Sequence, residues 1–225
     1  MTEAWNVELH SHTYWSTDCM VKFETIMRVC EERGIDRIAI TDHNTADGAL
    51  AFQKIAPELV IVGEEIFTTQ GELLAFFVQE TIPKGLTPEE TIKRLRDQGA
   101  FISVSHPFDQ YRKGAWRKAD LDRIIDRVDA IETFNARCLS MNENALAQDY
   151  AAEHNLCGTT GSDAHTPVEY GTATQRMQPF SNVEEFRASL QTAEPVTKLS
   201  SPSVHFNSTL AKWSRKLGFS KRPRP

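Results

Sequence analysis

Five of the seven histidines in this 225-residue chain stand in short clusters: His10-Ser11-His12, Asp42-His43, Ser105-His106-Pro107 and Ser162-Asp163-Ala164-His165. Asp18 and the run Gly63-Glu64-Glu65 add further carboxylates. Imidazole nitrogens and carboxylate oxygens are the donors favoured by zinc, manganese and iron, whereas a structural zinc site would favour cysteine. Residues i and i+2 of an extended segment point to one side, so His10 and His12 can grip a single cation. Any one of these clusters is as compatible with an ordinary strand end as with a ligand pair. Their recurrence is what points to a metal centre.

The elements that must position them follow from periodicity. Short β-rich apolar runs predict seven strands: Val7 to Leu9, Arg37 to Ile40, Leu59 to Val62, Leu73 to Val78, Phe101 to Val104, Ala130 to Thr133 and Leu156 to Thr160. Segments of helical period lie between them. Val21 to Arg33 closes at Gly34 as a C-cap, and Thr87-Pro88-Glu89-Glu90 opens a helix with a capping-box spacing and Pro at N1. Further helices are expected over Thr45 to Ile55, Asp120 to Arg127, Asn142 to His154 and Asn182 to Thr192. Thr69-Gln70-Gly71 suggests a hairpin within the series. Alternating βα units imply a single α/β domain with a parallel sheet, and in a barrel of such strands the C-terminal ends converge on one face. The histidine clusters directly follow predicted strands, so they would meet there. His154, in a predicted helix, and His205, near the C-terminus, are read as bystanders.

Composition limits the alternatives. Hydrophobic content of 40% and charged content of 25% suit an ordinary globular domain, and no apolar stretch is long enough for stable membrane insertion. The first residues lack a basic segment followed by an apolar core, which points to a cytoplasmic protein. Cys19, Cys30, Cys138 and Cys157 have no CxxC spacing and are expected to be reduced and mostly packed. Six cations and no acid in the last 26 residues leave −12 on the remainder of a chain whose net charge is −6. So acidic a body is unsuited to broad non-specific nucleic-acid binding, although a local basic pocket could take a small anion. Residues 1–199 are expected to form the domain and 200–225 a basic tail. Within that tail, Ser208 to Phe219 could form a short helix with Leu210, Trp213 and Leu217 on one side. Nothing in the sequence sets an oligomeric state.

The motifs Glu8-Leu9-His10-Ser11-His12-Thr13, Thr41-Asp42-His43-Asn44, Gly63-Glu64-Glu65-Ile66, Ser105-His106-Pro107 and Gly161-Ser162-Asp163-Ala164-His165 together resemble the PHP (polymerase and histidinol phosphatase) domain family. The resemblance implies a distorted, TIM-barrel-like (β/α)7 barrel holding two or three divalent metal ions, Zn, Mn or Fe. By that likeness His10, His12, Asp18, His43, Glu65, His106, Asp163 and His165 would be ligands. Glu65 would bridge two cations and Glu64 would be a spectator. The chain departs from the family pattern at Glu72, where many relatives carry a histidine; Glu72 is expected to replace it as an oxygen ligand. It departs again at Cys19, where a glycine often follows the aspartate. Cys19 is read first as a packed neighbour and second as an adventitious ligand.

Such a cluster implies hydrolysis of a phosphoester by a metal-activated hydroxide, with Glu65, His106, Asp163 and Arg137 as the residues closest to the chemistry. An arginine fork fits a phosphoryl group at two points, which nominates Arg137 just beyond a predicted strand. Similar proteins place an arginine or asparagine there, so Asn135 is a companion. Arg112, in the basic loop Asp109 to Lys118 with Tyr111 and Trp116, could add phosphate or base contacts. A merely solvated basic loop is the competing expectation. The expected partner is a small phosphorylated metabolite or nucleotide. An exonuclease acting on short RNA or DNA ends, or a non-catalytic metal-binding module, are the alternatives.

Overall fold

The computed structural model describes residues 3–204 together with Ala211 and Trp213. Nine strands form one sheet: β1 (Trp5–Ser11), β2 (Arg37–Ile40), β3 (Val60–Phe67), β4 (Glu72–Phe76), β5 (Phe101–Val104), β6 (Ala130–Asn135), β7 (Cys157–Gly161), β8 (Thr174–Met177) and β9 (Glu194–Val196). They are ordered β7-β6-β5-β4-β3-β2-β1-β8-β9. The sheet curls until its parallel arms meet, where Ser11 bridges Ala164 and His12 N–H donates to the Ala164 carbonyl at 3.0 Å. The result is a nearly closed α/β barrel.

Among the described residues six helices surround or plug it: α1 (Phe23–Arg33), α2 (Asp47–Gln53), α3 (Pro88–Asp97), α4 (Lys118–Leu121), α5 (Met141–Glu153) and α6 (Val183–Leu190). Their ends follow local chemistry. Gly34 adopts φ 61° and its N–H caps α1, a conformation that a Cβ would strain. The Thr87 side chain accepts from Glu90 N–H at the start of α3, with Pro88 in the first turn. Ser140 and Asn182 cap α5 and α6 in the same manner.

Strand alternation divides the core in two. Ile38, Ile40, Val60, Val62, Leu73, Ala75, Ile102 and Ile131 face outward, packed with residues of α1, α2 and α3. Val7, Leu9, Ala39, Ile61, Leu74, Phe76, Phe101 and Ala130 face inward, and Phe186 and Leu190 of α6 stop that end of the barrel. Burial of these side chains stabilises by roughly 1.5–3 kcal/mol each. The same alternation carries Glu65, Glu72, Ser105 and Glu132 to the interior and turns Glu64 outward.

β4 runs antiparallel to both β3 and β5, the hairpin expected at Thr69-Gln70-Gly71, and interrupts the parallel series. Other expectations need correction. β8 and β9 were absent from the seven expected strands. β8 is Thr174-Gln175-Arg176-Met177 and β9 is exposed and contains Pro195, so neither has an apolar run. β8 exists because β1 and β9 supply its antiparallel partners. The helix expected over Asp120 to Arg127 is instead α4 and a separate 3-10 turn, Ile125–Arg127. Bonds of i→i−3 type from Ile124 to Leu121 and from Arg127 to Ile124 tighten the chain there. His205 and most of the helix expected over Ser208 to Phe219 lie outside the described residues.

Candidate metal centre

An extra residue in β1 decides where the first histidine points. The register shifts between Glu8 and Ser11 relative to β2, so His10 joins Leu9 on the inner side rather than following Glu8 outward. His12 follows beyond the strand end. His43 leaves β2 and bridges Glu65 of β3, and Asn44 N–H donates to the Glu65 carbonyl at 2.8 Å. His106 follows β5, and Asp163 and His165 follow β7. His106 and Asp163 hold left-handed backbone at φ 21° and φ 52°, which is sterically costly for such residues and common where a structure aims a side chain into a site. Because β4 is reversed, Glu72 reaches this face from its strand's N-terminal end.

All these side chains converge. His10 Nε2 lies 3.5 Å from Glu65 Oε1 and 3.6 Å from Asp163 Oδ1, while His12 Nε2 is 3.2 Å from Asp163 Oδ1 and 3.5 Å from Glu65 Oε2. His43 stands 2.8 Å from Glu65 Oε2 through Nδ1 and 3.3 Å from Asp18 Oδ2 through Nε2. His106 Nε2 is 3.0 Å from Glu65 Oε1 and 3.6 Å from Glu72 Oε2, and His165 Nε2 is 3.3 Å from Asp18 Oδ1. Three overlapping groups have donor atoms mutually within 4.8 Å: His12, His43 and His165; His10, His12 and Asp163; His43, Glu65 and Glu72.

Whether these residues fit divalent cations can be tested on the partners of each nitrogen. Ser16 Oγ donates to Asp42 Oδ1 at 2.7 Å, so at 3.2 Å it accepts from His12 Nδ1. The Glu132 carboxylate accepts from His10 Nδ1 at 2.8 Å. Both rings are thereby fixed with the proton on Nδ1 and a lone pair on Nε2 facing the cluster, the form in which imidazole binds a metal. His10 Nε2 is buried and has no hydrogen-bond partner, and Glu65 Oε2 is buried with imidazole nitrogens around it, His43 Nδ1 at 2.8 Å and His12 Nε2 at 3.5 Å. His165 Nδ1 is approached by the Asp163 carbonyl at 2.8 Å and an Arg137 guanidinium nitrogen at 2.5 Å, so its tautomer depends on what Nε2 meets. Buried lone pairs opposed to buried carboxylates are costly without a cation among them. The donor set therefore fits.

Burial and neighbouring charges set the ionisation of these groups in opposite directions. Burial, reinforced by His165 and His43, holds His12 well below the ordinary imidazole range and hence neutral. Burial alone would lower His10 too, but Glu132, Asp163 and Glu65 outweigh it and raise the pKa. Burial opposes ionisation of Asp18, Glu65 and Asp163, yet adjacent histidines, and Arg112 beside Asp163, keep all three well below the usual carboxylate range. Glu72 is raised by burial and by the neighbouring Glu65 charge, as expected of two carboxylates sharing a space.

Outside this cluster is a layer that sequence reasoning did not assign. Glu132 Oε2 accepts from His106 N–H at 2.8 Å and from Asn135 Nδ2 at 3.1 Å, so one carboxylate orients two histidines. Asp42 accepts from Thr13 N–H, Thr13 Oγ1 and Ser16 Oγ, pinning the loop that follows His12. Glu8, raised to about 7 by burial, accepts from the N–H groups of His10, Ser162 and Gly171 and from Ser162 Oγ. A lone acid inside an apolar strand was the available signal for Glu8 and Glu132. Asn135 is buried, with Nδ2 shared between Glu132 and Asp163 and Oδ1 accepting from Arg137 N–H. Glu64 faces away from the cluster, where Oε2 accepts from Ile82 N–H. Cys19 is buried; its thiol donates to the His12 and His165 carbonyls, and burial raises it out of the reactive range.

Above the cluster opens a cleft of about 550 Å³ lined by Asp18, His43, Glu72, Arg137 and His165 and by the more peripheral Lys84, Tyr111, Arg112 and Lys113. Arg112 donates to Asp109 Oδ2 at 2.9 Å and reaches Asp163 Oδ2 at 2.5 Å. Arg137 is buried 3.3 Å from Glu169 Oε1. Tyr111 is 77% exposed at the mouth. The expectation that Trp116 could stack on a base fails: its ring is buried under Gly71, and Nε1 donates to the Glu72 carbonyl at 3.0 Å.

Comparison with known proteins adds relatives to this geometry. Uncharacterized protein MJ1587 of Methanocaldococcus jannaschii is 38% identical over 143 residues, covering 57% of this chain and 81% of its own. In fold the chain is similar to a two-domain protein of Bacteroides vulgatus containing a predicted PHP-like metal-dependent phosphoesterase, with TM-score 0.69, 18% identity and coverage of 92% of this chain and 70% of that one. It is also similar to the lesion-specific endonuclease EndoQ of Pyrococcus furiosus, with TM-score 0.64, 17% identity and coverage of 88% and 60%. At such identities the two structures speak to fold alone. The PHP domain family model matches residues 8–178, a span that takes in every histidine of the cluster, and the chain belongs to the PHP domain family.

Proposed function

We propose that this protein is a metal-dependent phosphoesterase in which His10, His12, Asp18, His43, Glu65, Glu72, His106, Asp163 and His165 hold two or three divalent cations. The observation that carries the reading is the convergence of imidazole nitrogens and carboxylate oxygens, three groups of which have donor atoms mutually within 4.8 Å, beneath a cleft rimmed by Lys84, Arg112 and Lys113. The name of the Bacteroides neighbour agrees with it. When bound, divalent cations supply Lewis-acid stabilisation and acidify a water to serve as nucleophile at neutral pH. The protein's own residues do the rest. Glu65 is central, within 3.5 Å of four histidines, and is suited to link two metal sites. Glu132 and Ser16 hold His10 and His12 in the ligating tautomer. Asn135 steadies Asp163, and Glu64 takes no part. Arg112 can turn from Asp163 to offer two N–H groups to phosphoryl oxygens, with Arg137 deeper in the same cleft.

The substrate class that fits is a small phosphorylated metabolite or nucleotide, since the cleft combines cations with two exposed rings, Tyr111 and Phe67. Metal-stripped protein should release phosphate from a panel of phosphomonoesters only after manganese, zinc or iron is restored. A flat response to every metal would end the proposal and favour a non-catalytic metal-binding module. Cleavage of short RNA or DNA ends is the second reading, favoured by Tyr111 and by the fold shared with an endonuclease. A labelled oligonucleotide separates the two: stepwise shortening supports the nuclease, and loss of terminal phosphate alone supports the phosphatase.

A further inference from the structure

The opposite end of the barrel has a second cavity, of about 580 Å³, lined at its polar wall by Arg37, Gln53 and Glu58 and at its apolar wall by Trp5, Phe77 and Phe180. Trp5, Arg37 and Val60 are the first residues of β1, β2 and β3, so this cavity opens away from the metal cluster. Arg37 is the unusual member. Its guanidinium stacks over the rings of Trp5, at 5.6 Å, and Phe180, at 5.3 Å, while Nε is buried with no hydrogen-bond partner. Aromatic faces steady a cation but accept none of its N–H groups in the plane, so the Nε–H still lacks an oxygen acceptor even though the Glu58 carboxylate on the same wall attracts the guanidinium. Phe77 supplies an independent sign. It is a bulky residue with φ 61°, in the left-handed region that favours glycine, and its ring packs edge-on to Phe180 at 6.3 Å and Phe186 at 5.4 Å. Strained backbone of this kind persists where the surroundings over-determine it, and it is concentrated at ligand clamps and switches. Helix α6 joins the cavity to the barrel interior, because Phe186 touches Phe77, Phe180 and the inward-facing Phe76 and Phe101.

We propose that this basal cavity is a second ligand site, for a small molecule that joins a flat ring to a carboxylate or phosphate, the ring lying against Trp5 and Phe77 and the oxyanion on Arg37. It is separate from the metal cluster and does not depend on the function proposed for it. The test uses metal-stripped protein and two probes, naphthalene-2-carboxylate and adenosine 5′-monophosphate, titrated calorimetrically against wild type, Arg37→Gln, Phe77→Gly and His106→Ala. Naphthalene, which lacks the anion, serves as the control. At least one probe should bind wild type and His106→Ala alike and bind Arg37→Gln at least about tenfold more weakly, the loss expected of one charge-assisted hydrogen bond. The stronger of the two probes identifies the oxyanion as carboxylate or phosphate. Phe77→Gly removes both the ring and the strain; it should weaken the same probe under conditions where the variant remains folded, the relief of strain offsetting part of the packing lost against Phe180 and Phe186. Failure of both probes to bind folded wild type at millimolar concentration would overturn the proposal. So would equal affinity in wild type and a folded Arg37→Gln variant, or loss of binding in His106→Ala.

Discussion

Glu132→Gln isolates the contribution of one carboxylate that touches none of the proposed cations. In the wild type, Oε1 accepts from His10 Nδ1 at 2.8 Å, and Oε2 accepts from His106 N–H at 2.8 Å and Asn135 Nδ2 at 3.1 Å. Glutamine has one acceptor oxygen. If that oxygen stays with His106 and Asn135, the amide NH2 faces His10 Nδ1, which must then become the acceptor. The proton moves to Nε2, and the lone pair that faces Glu65 and Asp163 is lost. If the amide flips, His10 keeps its tautomer but two donors oppose the NH2 group at a buried position. Either way, one of the two histidines is misaligned. Removing such outer partners typically reduces metal affinity 10–100-fold, about 1.4–2.7 kcal/mol. Titrating the stripped variant with manganese or zinc, with content read by mass spectrometry, should show that weakening while unoccupied protein stays folded. Metal affinity in Glu132→Gln within about threefold of wild type would refute the tautomer argument.

Three further outcomes follow from the same contacts. Asp129 accepts from Arg96 and from Ile102 N–H and pairs with Arg187; burial opposes its ionisation, but these partners lower its pKa below the ordinary value. Its contribution is therefore complete above about pH 4 and lost as pH falls through the depressed value. Asp129→Asn should cost roughly 1–3 kcal/mol in urea unfolding at pH 7 and progressively less in acid, and a pH-independent difference would contradict it. Gly161→Ala would place a Cβ 2.3 Å from His10 Cβ and 3.1 Å from Glu132 Oε1, forcing β7 from β1 where the barrel closes. A stability loss of roughly 1–3 kcal/mol with weakened metal binding is expected, and normal metal binding would show that the seam yields freely. Saturating stripped protein with metal at about 100 times its dissociation constant should raise stability by about 2.7 kcal/mol, and an unchanged unfolding midpoint would argue against a native-state metal centre.

Much of this molecule was legible in the order of its residues. The αβ alternation, the caps at Gly34, Thr87 and Pro88, and the placing of ligand-type residues just after strands all follow from local propensity and periods of 2 and 3.6, which neighbours in sequence determine. The lone polar strands were not. Thr174 to Met177 carries no apolar run and is a strand only because β1 and β9 bond to it on either side. Three decisions at the centre likewise belong to tertiary structure. The bulge in β1 turns His10 inward against simple alternation, a register effect visible only once β2 is alongside. Reversal of β4 delivers Glu72 to the metal face from the wrong end of a strand. Glu132, 122 residues from His10, fixes the tautomer of that ring through a single hydrogen bond. The sequence by itself determined which donor types exist and roughly where the chain turns, because those depend on short-range sterics and side-chain chemistry. Only the closed barrel decided which lone pairs face one another, because that depends on distances between strands far apart in the chain.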